Sequence, residues 1–215
     1  MSYTKTYDYD KIGKKNLNKV LARRVYNRFL NKALSDLDKE SVIMIESPAE
    51  NYLDANISSI KTMIDYGFEG VYISFQRPFR NICSHFEREG INLDRIYVID
   101  FASAFCKTDQ DLNPRCVNVN QEIGLEEMTK LICLTLERLS QEKRFIFVDS
   151  ISTFALHEDL DETLRFPEYL IKSIKDKKID DVTLIFNIAK DLAKKRYIEN
   201  INVYANEHIH LGLCT

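Results

Sequence analysis

The chain has 215 residues, 45% of them hydrophobic, which suffices for one sizeable core and not for several. Thirty Lys and Arg against 33 Asp and Glu give a formal net charge of −3; this excludes recognition of DNA or RNA by overall charge and confines any nucleic-acid site to a local patch. The N-terminus is polar and no uncharged stretch approaches the ~20 residues needed to cross a bilayer, while the five cysteines (Cys83, Cys106, Cys116, Cys133, Cys214) form no CxxC pair, so a cytoplasmic protein with reduced thiols and no transmembrane segment is expected.

The first strong local feature is a run of bases, Lys14, Lys15, Lys19, Arg23, Arg24, Arg28 and Lys32, with no acid among them. Such a run suits nucleic acid, an anionic surface or an acidic protein. Leu17, Val20, Leu21, Val25 and Phe29 share a helical arc with Arg24 and Arg28, so no clean basic face separates from an apolar one. The run is therefore read as a packed amphipathic extension with solvated bases, residues 1–40, preceding a domain of residues 41–215.

From residue 41 onward the chain alternates short runs rich in β-branched residues with segments of helical spacing, the pattern of a parallel sheet covered by helices. Residues 41–46 (SVIMIE) are continuously apolar up to the acid, as in a strand buried on both faces. Leu53, Ile57, Ile60 and Ile64 recur at spacings of three and four, and Gly67 ends that helix. A second strand, residues 70–75 (GVYISF), is followed by Pro78 and by a helix whose face is Phe79, Ile82, Cys83 and Phe86, closed by Gly90.

The third strand, residues 95–100 (RIYVID), ends in Asp100, and the polar stretch 106–121 after it is long for a connection and therefore either functional or mobile, a contact region if the protein acts through a partner. Helical spacing returns with Leu125, Met128, Leu131, Ile132, Thr135 and Leu139 before the fourth strand, residues 144–150 (RFIFVDS). A helix over about 161–175 and a fifth strand over 182–186 follow, then a charged helix near 189–197. Residues 201–204 and 208–211, separated by Ala-Asn-Glu, predict a C-terminal β-hairpin capping the sheet edge.

Two clusters invite chemistry. His208 and His210 alternate on the last strand with Cys214 nearby; imidazole and thiolate both ligate zinc, but no fourth ligand is evident, and the expectation is a hairpin with two surface histidines and no metal. His157, Glu158, Asp159, Asp161 and Glu162 form an acidic cluster, read as Asp159 or Asp161 capping the next helix while the acids complement its dipole. No GxSxG, HExxH or GxGxxG pattern occurs, so the usual hydrolase, metalloprotease and dinucleotide signatures are absent.

In its order of features (apolar strand, helix, GVYISF, proline-led helix, INLDRIYVID, FIFVDS) the segment 41–187 resembles the RecA/KaiC family of P-loop ATPases, in particular its degenerate archaeal members. The resemblance implies a three-layer RecA-like α/β domain with a mostly parallel central sheet, here carrying the N-terminal helical extension and the C-terminal hairpin. It also implies where a nucleotide would sit. In active members the first strand runs into a glycine-rich loop whose backbone, lysine and hydroxyl hold phosphates and magnesium. Laid on that motif, Glu46 and Asn51 stand at the two glycine positions, with Pro48 between them, Tyr52 at the lysine and Leu53 at the hydroxyl.

None of these residues supplies a cation or a metal-ligating hydroxyl, and Glu46 and Glu50 add negative charge beside the phosphates. Gln76 and Arg77 stand where the family carries its catalytic acids, and neither serves as a general base. Asp149, followed by Ser150, keeps the acid of the fourth strand, which in active relatives helps to hold magnesium; here a turn-capping role is expected.

The expectation is a non-catalytic RecA/KaiC-like domain without cofactor, acting through a protein partner or self-association, with ATP hydrolysis lost. The alternative is a ligand- or nucleotide-binding protein, or an ATPase, using an atypical site at the carboxyl ends of the strands, where Asp100, Asp149, Ser150, Gln76 and Arg77 project. Nucleic-acid or anionic-surface binding through residues 14–32 ranks below both.

Overall fold

A computed structural model describes residues 5–7, 19–35, 41–106, 111–119, 123–157, 160–193 and 195–211. The strands are β1 (Lys5–Tyr7), β2 (Val42–Ser47), β3 (Glu69–Ser74), β4 (Ile96–Asp100), β5 (Cys116–Asn118), β6 (Arg144–Asp149), β7 (Val182–Ala189) and β8 (Glu207–His210). The helices are α1 (Lys19–Ser35), α2 (Tyr52–Asp65), α3 (Phe79–Arg88), α4 (Phe101–Cys106), α5 (Leu125–Leu136), α6 (Ile151–His157), α7 (Leu160–Asp176) and α8 (Lys195–Asn202).

The described strands form one sheet in the order β1-β8-β2-β7-β6-β3-β4-β5, and every pairing in it is parallel. Parallel pairing demands a crossover between neighbours, and the helices that make the crossovers cover both faces. Alternation along the strands divides the side chains between two cores. Met44, Val71, Ile73, Ile146, Val148, Leu184 and Phe186 pack with Met128 and Ile132 of α5, Phe154 of α6, Phe166 and Leu170 of α7 and Ile201 of α8. Ile43, Ile45, Tyr72, Phe145, Phe147 and Ile185 pack on the opposite face with Tyr26 and Leu30 of α1, Ile57 and Ile60 of α2, and Ile82 and Phe86 of α3. Helix, sheet, helix are thus the three layers.

The continuous apolar runs 42–45, 145–148 and 184–186 arise because these strands are covered on both sides and have no solvent face to fill with polar residues. The expected helix face of α3, with Phe79, Ile82, Cys83 and Phe86, is buried. Gly67 and Gly90 end α2 and α3 with φ of +85° and +68°, a conformation that any residue with a Cβ adopts at a cost.

Three expectations change. The C-terminal hairpin is absent: residues 201 and 202 end α8, and β8 lies parallel between β1 and β2. The reason is helical spacing, since Tyr197, Ile201 and Ala205 recur every four residues and bury together. The charged helix placed near 189–197 instead starts at Lys195, because β7 runs on to Ala189. The polar stretch after β4 contains the edge strand β5, and its residues 107–110 and 120–122 lie outside the described residues.

Of the apolar arc expected in the basic segment, Phe29 is the member whose side chain falls among the described residues, and it is half-buried. Tyr26, Leu30, Ala33 and Leu34 are buried, and α1 lies against α2. Arg28 and Lys32 are exposed, Lys19, Arg23 and Arg24 stand on the first two turns of α1, and Lys14 and Lys15 lie outside the described residues.

Candidate functional site

The turn after β2 decides what the carboxyl ends of the strands can hold. Pro48 is extended (φ −59°, ψ 145°) and caps a single 3-10 turn, Ala49–Asn51, which leads directly into α2. No residue of this turn has a positive φ, so the backbone does not form the alternating-hand nest of N–H groups that cradles an anion. Two of its amides are already engaged: that of Asn51 donates to the Pro48 carbonyl at 3.0 Å, and that of Ala49 to Asp191 Oδ2 at 3.0 Å. A side-chain carboxylate thus occupies an amide of this turn. Leu53, at the hydroxyl position, packs half-buried against the α2 core.

Tyr52 opens α2 and is buried, with its hydroxyl donating to Asp149 Oδ1 at 2.6 Å. Asp149 has no solvent exposure, and Tyr72 of β3 donates a short hydrogen bond to its other oxygen. Tyr72 in turn accepts from Asn56 Nδ2 at 3.1 Å, and Asn187 Nδ2 donates a short bond to Asn56 Oδ1. Burial, followed by the Asp149 charge, pushes both phenols well above their ordinary range, so each stays protonated and donating. Tyr72 is itself fixed by stacking on Phe147 (5.3 Å between centroids, 11°) and by an edge contact to Phe86 (5.5 Å).

Arg77 Nη1 reaches Asp149 Oδ2 at 3.8 Å and donates to Gln76 Oε1 at 2.8 Å, with a quarter of its side chain exposed. The Asp149 carboxylate therefore serves two buried phenols and a guanidinium, and it does not cap the turn that follows. That task falls to Ser150, whose Oγ accepts from the Thr153 amide at 3.2 Å. Asn51 is buried and its Nδ2 has no partner among the described residues.

Asp100, which the sequence places at the same crevice, is spent on structure. Its Oδ1 accepts from the Ser103 amide at 2.8 Å, while its Oδ2 accepts from the Phe79 amide at 2.8 Å and Ser103 Oγ at 2.7 Å. It thereby ties the starts of α3 and α4 to the end of β4. A cavity of about 240 Å³ beside it is lined by Pro78, Phe79, Arg80, Asn81 and Asp111 as well, and Arg80 and Asp111 pair across it at 2.9 Å.

Glu46 does not join this group. Strand alternation turns it to the face of Met44, away from Tyr52 and Asp149, and toward β8, whose His210 is its register partner. Glu46 Oε1 lies 2.6 Å from His208 Nε2, and Oε2 lies 3.5 Å from His210 Nδ1. Burial pushes the Glu46 carboxyl up, but hydrogen bonds to His208 and His210 and their charge outweigh it and hold the carboxyl down at about 2. The two histidines are not the surface pair expected on a hairpin: His208 is buried, because β8 is an inner strand. Cys214 lies outside the described residues, as do Glu158 and Asp159 of the acidic cluster; Asp161 and Glu162 stand in the first turn of α7. The sequence offered no sign of the Glu46 contact, which joins residues 162 positions apart.

No protein-family model matches the chain, and no curated protein matches it in sequence. Among solved structures it is similar to an uncharacterized protein of Pyrococcus horikoshii in complex with an unknown peptide, at 15% identity and a TM-score of 0.62, covering 85% of this chain and 82% of that one. A KaiC-like protein of Pyrococcus horikoshii (15% identity, TM-score 0.46, 75% of this chain and 67% of that one) and the flagellar accessory protein FlaH of Methanocaldococcus jannaschii (11%, 0.47, 79% and 70%) also match. The fold is RecA-like α/β with a parallel central sheet, as the sequence pattern leads one to expect. No helix among the described residues is long and apolar enough to cross a membrane.

Proposed function

We propose that this chain is a non-catalytic RecA/KaiC-like domain that works as a regulatory or protein-interaction module, with ATP hydrolysis lost. The observation that carries the reading is Tyr52. It stands where an active relative would place the phosphate-binding lysine, and its hydroxyl is bonded to the fully buried Asp149, the residue that would help to hold magnesium. Both ends of a magnesium-triphosphate site are thereby occupied by each other. The engagement of the Ala49 amide by Asp191 adds a carboxylate where phosphate oxygens would lie, which repels a polyanion. Arg77, a cation at this end of the strands, is held beside Asp149 and Gln76.

A module of this kind acts by contact. The structural neighbour with a bound peptide supports a polypeptide as the ligand class, and the segment 106–121 and the basic run 14–32 are the contact regions we assign. The free thiols of Cys83, Cys116 and Cys133 support a reducing, cytoplasmic setting.

Adding Mg-ATP or Mg-ADP in millimolar amounts is expected to leave the melting temperature of the purified protein within about 1 °C, since ligand that does not bind the folded state cannot stabilise it. Saturable stabilisation of several degrees, or nucleotide retained through purification, would sink the reading. Light scattering and affinity capture test the other half: a strict monomer that captures no polypeptide partner speaks against an interaction module.

A further inference from the structure

We infer that Glu46, His208 and His210 form a binding site for a divalent cation of the zinc class, with an open coordination position facing solvent. The three residues come from adjacent parallel strands, β2 and β8, and their ligating atoms lie within 4.8 Å of one another. Two imidazole nitrogens and a carboxylate oxygen are the donor set that zinc and its neighbours take, and three protein ligands are the number found where a fourth position is left for water or a ligand.

The distances suit a tetrahedral ion. Ligand atoms held at ~2.0–2.1 Å from zinc stand about 3.3 Å apart. Glu46 Oε2 and His210 Nδ1 are already 3.5 Å apart, and Glu46 Oε1 and His208 Nε2, at 2.6 Å, need to separate by less than about 1 Å. A rotation of the Glu46 carboxylate provides that movement. The two rings stand with centroids 4.0 Å apart and tilted by 39°, both aimed at the same carboxylate.

A plain ion pair explains less of this arrangement. The carboxylate has one imidazole against each of its oxygens, and two imidazolium rings this close repel each other. A bound cation accepts both rings in their neutral form. Exposure rises across the cluster, from 5% for the Glu46 side chain through 11% for His208 to 29% for His210. The inner ligands are fixed by the sheet, and the outer one opens a path for the ion and for its fourth ligand.

The inference stands apart from the nucleotide reading, because Glu46 faces away from Asp149. Its test is calorimetric titration of the untagged full chain, stripped with chelator, with ZnCl2 alone. Saturable 1:1 binding is expected, and zinc at about a hundredfold above its dissociation constant should raise the melting temperature by about 5–10 °C. His208→Ala and Glu46→Gln should each weaken binding by at least about tenfold. If either fails to fold, His210→Asn, altered at the most exposed ligand, carries the test. Cobalt in place of zinc should give the visible absorption of a tetrahedral site, and this band should vanish in the same variants. Absence of 1:1 binding, or folded variants that bind zinc as the parent does, would overturn the assignment.

Discussion

Replacing Asp149 by alanine is expected to lower the unfolding free energy by about 3–5 kcal/mol, read from urea unfolding followed by circular dichroism. The carboxylate has no exposure and accepts hydrogen bonds from the hydroxyls of Tyr52 and Tyr72. Alanine leaves the Tyr72 hydroxyl without this acceptor and Tyr52 with only the Asn187 carbonyl at 3.5 Å, and each hydrogen bond to a charged group is worth about 1.5–3 kcal/mol. The guanidinium of Arg77, 3.8 Å away, loses its counter-ion as well. Tyr52→Phe and Tyr72→Phe should each cost part of this amount, and their effects should not add, because both donors polarise one acceptor.

The sign of the Asp149 effect separates two roles. An aspartate kept in reserve for magnesium sits in its empty site as an uncompensated charge, and its removal leaves stability unchanged or raises it. An aspartate clamped by two phenols is part of the core, and its removal loosens β6 from β3 and α2. Stability equal to or above the parent would show that the Tyr52–Asp149–Tyr72 bridge does not hold this end of the sheet together.

Much of this architecture was legible from residue order. The runs at 42–47, 69–74, 96–100, 144–149 and 182–189 are strands, readable because a parallel sheet covered on both faces needs unbroken apolar runs. Helices α2, α3, α5 and α7 were legible through their spacing of three and four. The edge was not. β1 and β5 have three residues each, too few for alternation to stand out; a strand was expected at 208–211, but not its parallel place between β1 and β2. The short helix α6, directly after β6, was hidden for a similar reason: seven residues give fewer than two full periods.

The site divides the same way. That residues 46–53 lack a Lys or Arg, and that Leu53 stands at the hydroxyl position, is a statement about residue types and needs no structure. That the Tyr52 hydroxyl reaches Asp149 depends on where α2 begins relative to β6, which only the packed sheet determines. The pairing of Glu46 with His208 and His210 depended on strand order alone. Placing residues 201–211 in a hairpin put β8 at the rim and its histidines in solvent, whereas insertion between β1 and β2 brought them onto a buried acid.

A second large effect is expected at Gly70. Gly70↔Phe145 is a register pair of β3 and β6, and a Cβ built on Gly70 would run into the outer atoms of the Phe145 ring. Glycine in a strand interior ordinarily weakens it, unless something must approach the backbone closely. Here that something is the ring, which has no exposure and packs with Phe147, Ile43 and Ile60 in the core beneath α1 to α3. Gly70→Ala should therefore cost about 3 kcal/mol by overpacking and lower the melting temperature by about 6–12 °C. The backbone at Gly70 has an ordinary negative-φ conformation, so strain in the chain itself contributes nothing. The cause is then testable by a second change. Phe145→Leu should destabilise on its own by leaving a cavity, yet combined with Gly70→Ala it should cost less than the sum of the two, with a coupling of about 1–3 kcal/mol. Simple additivity of the two substitutions would mean that the ring over β3 is not why a glycine stands there.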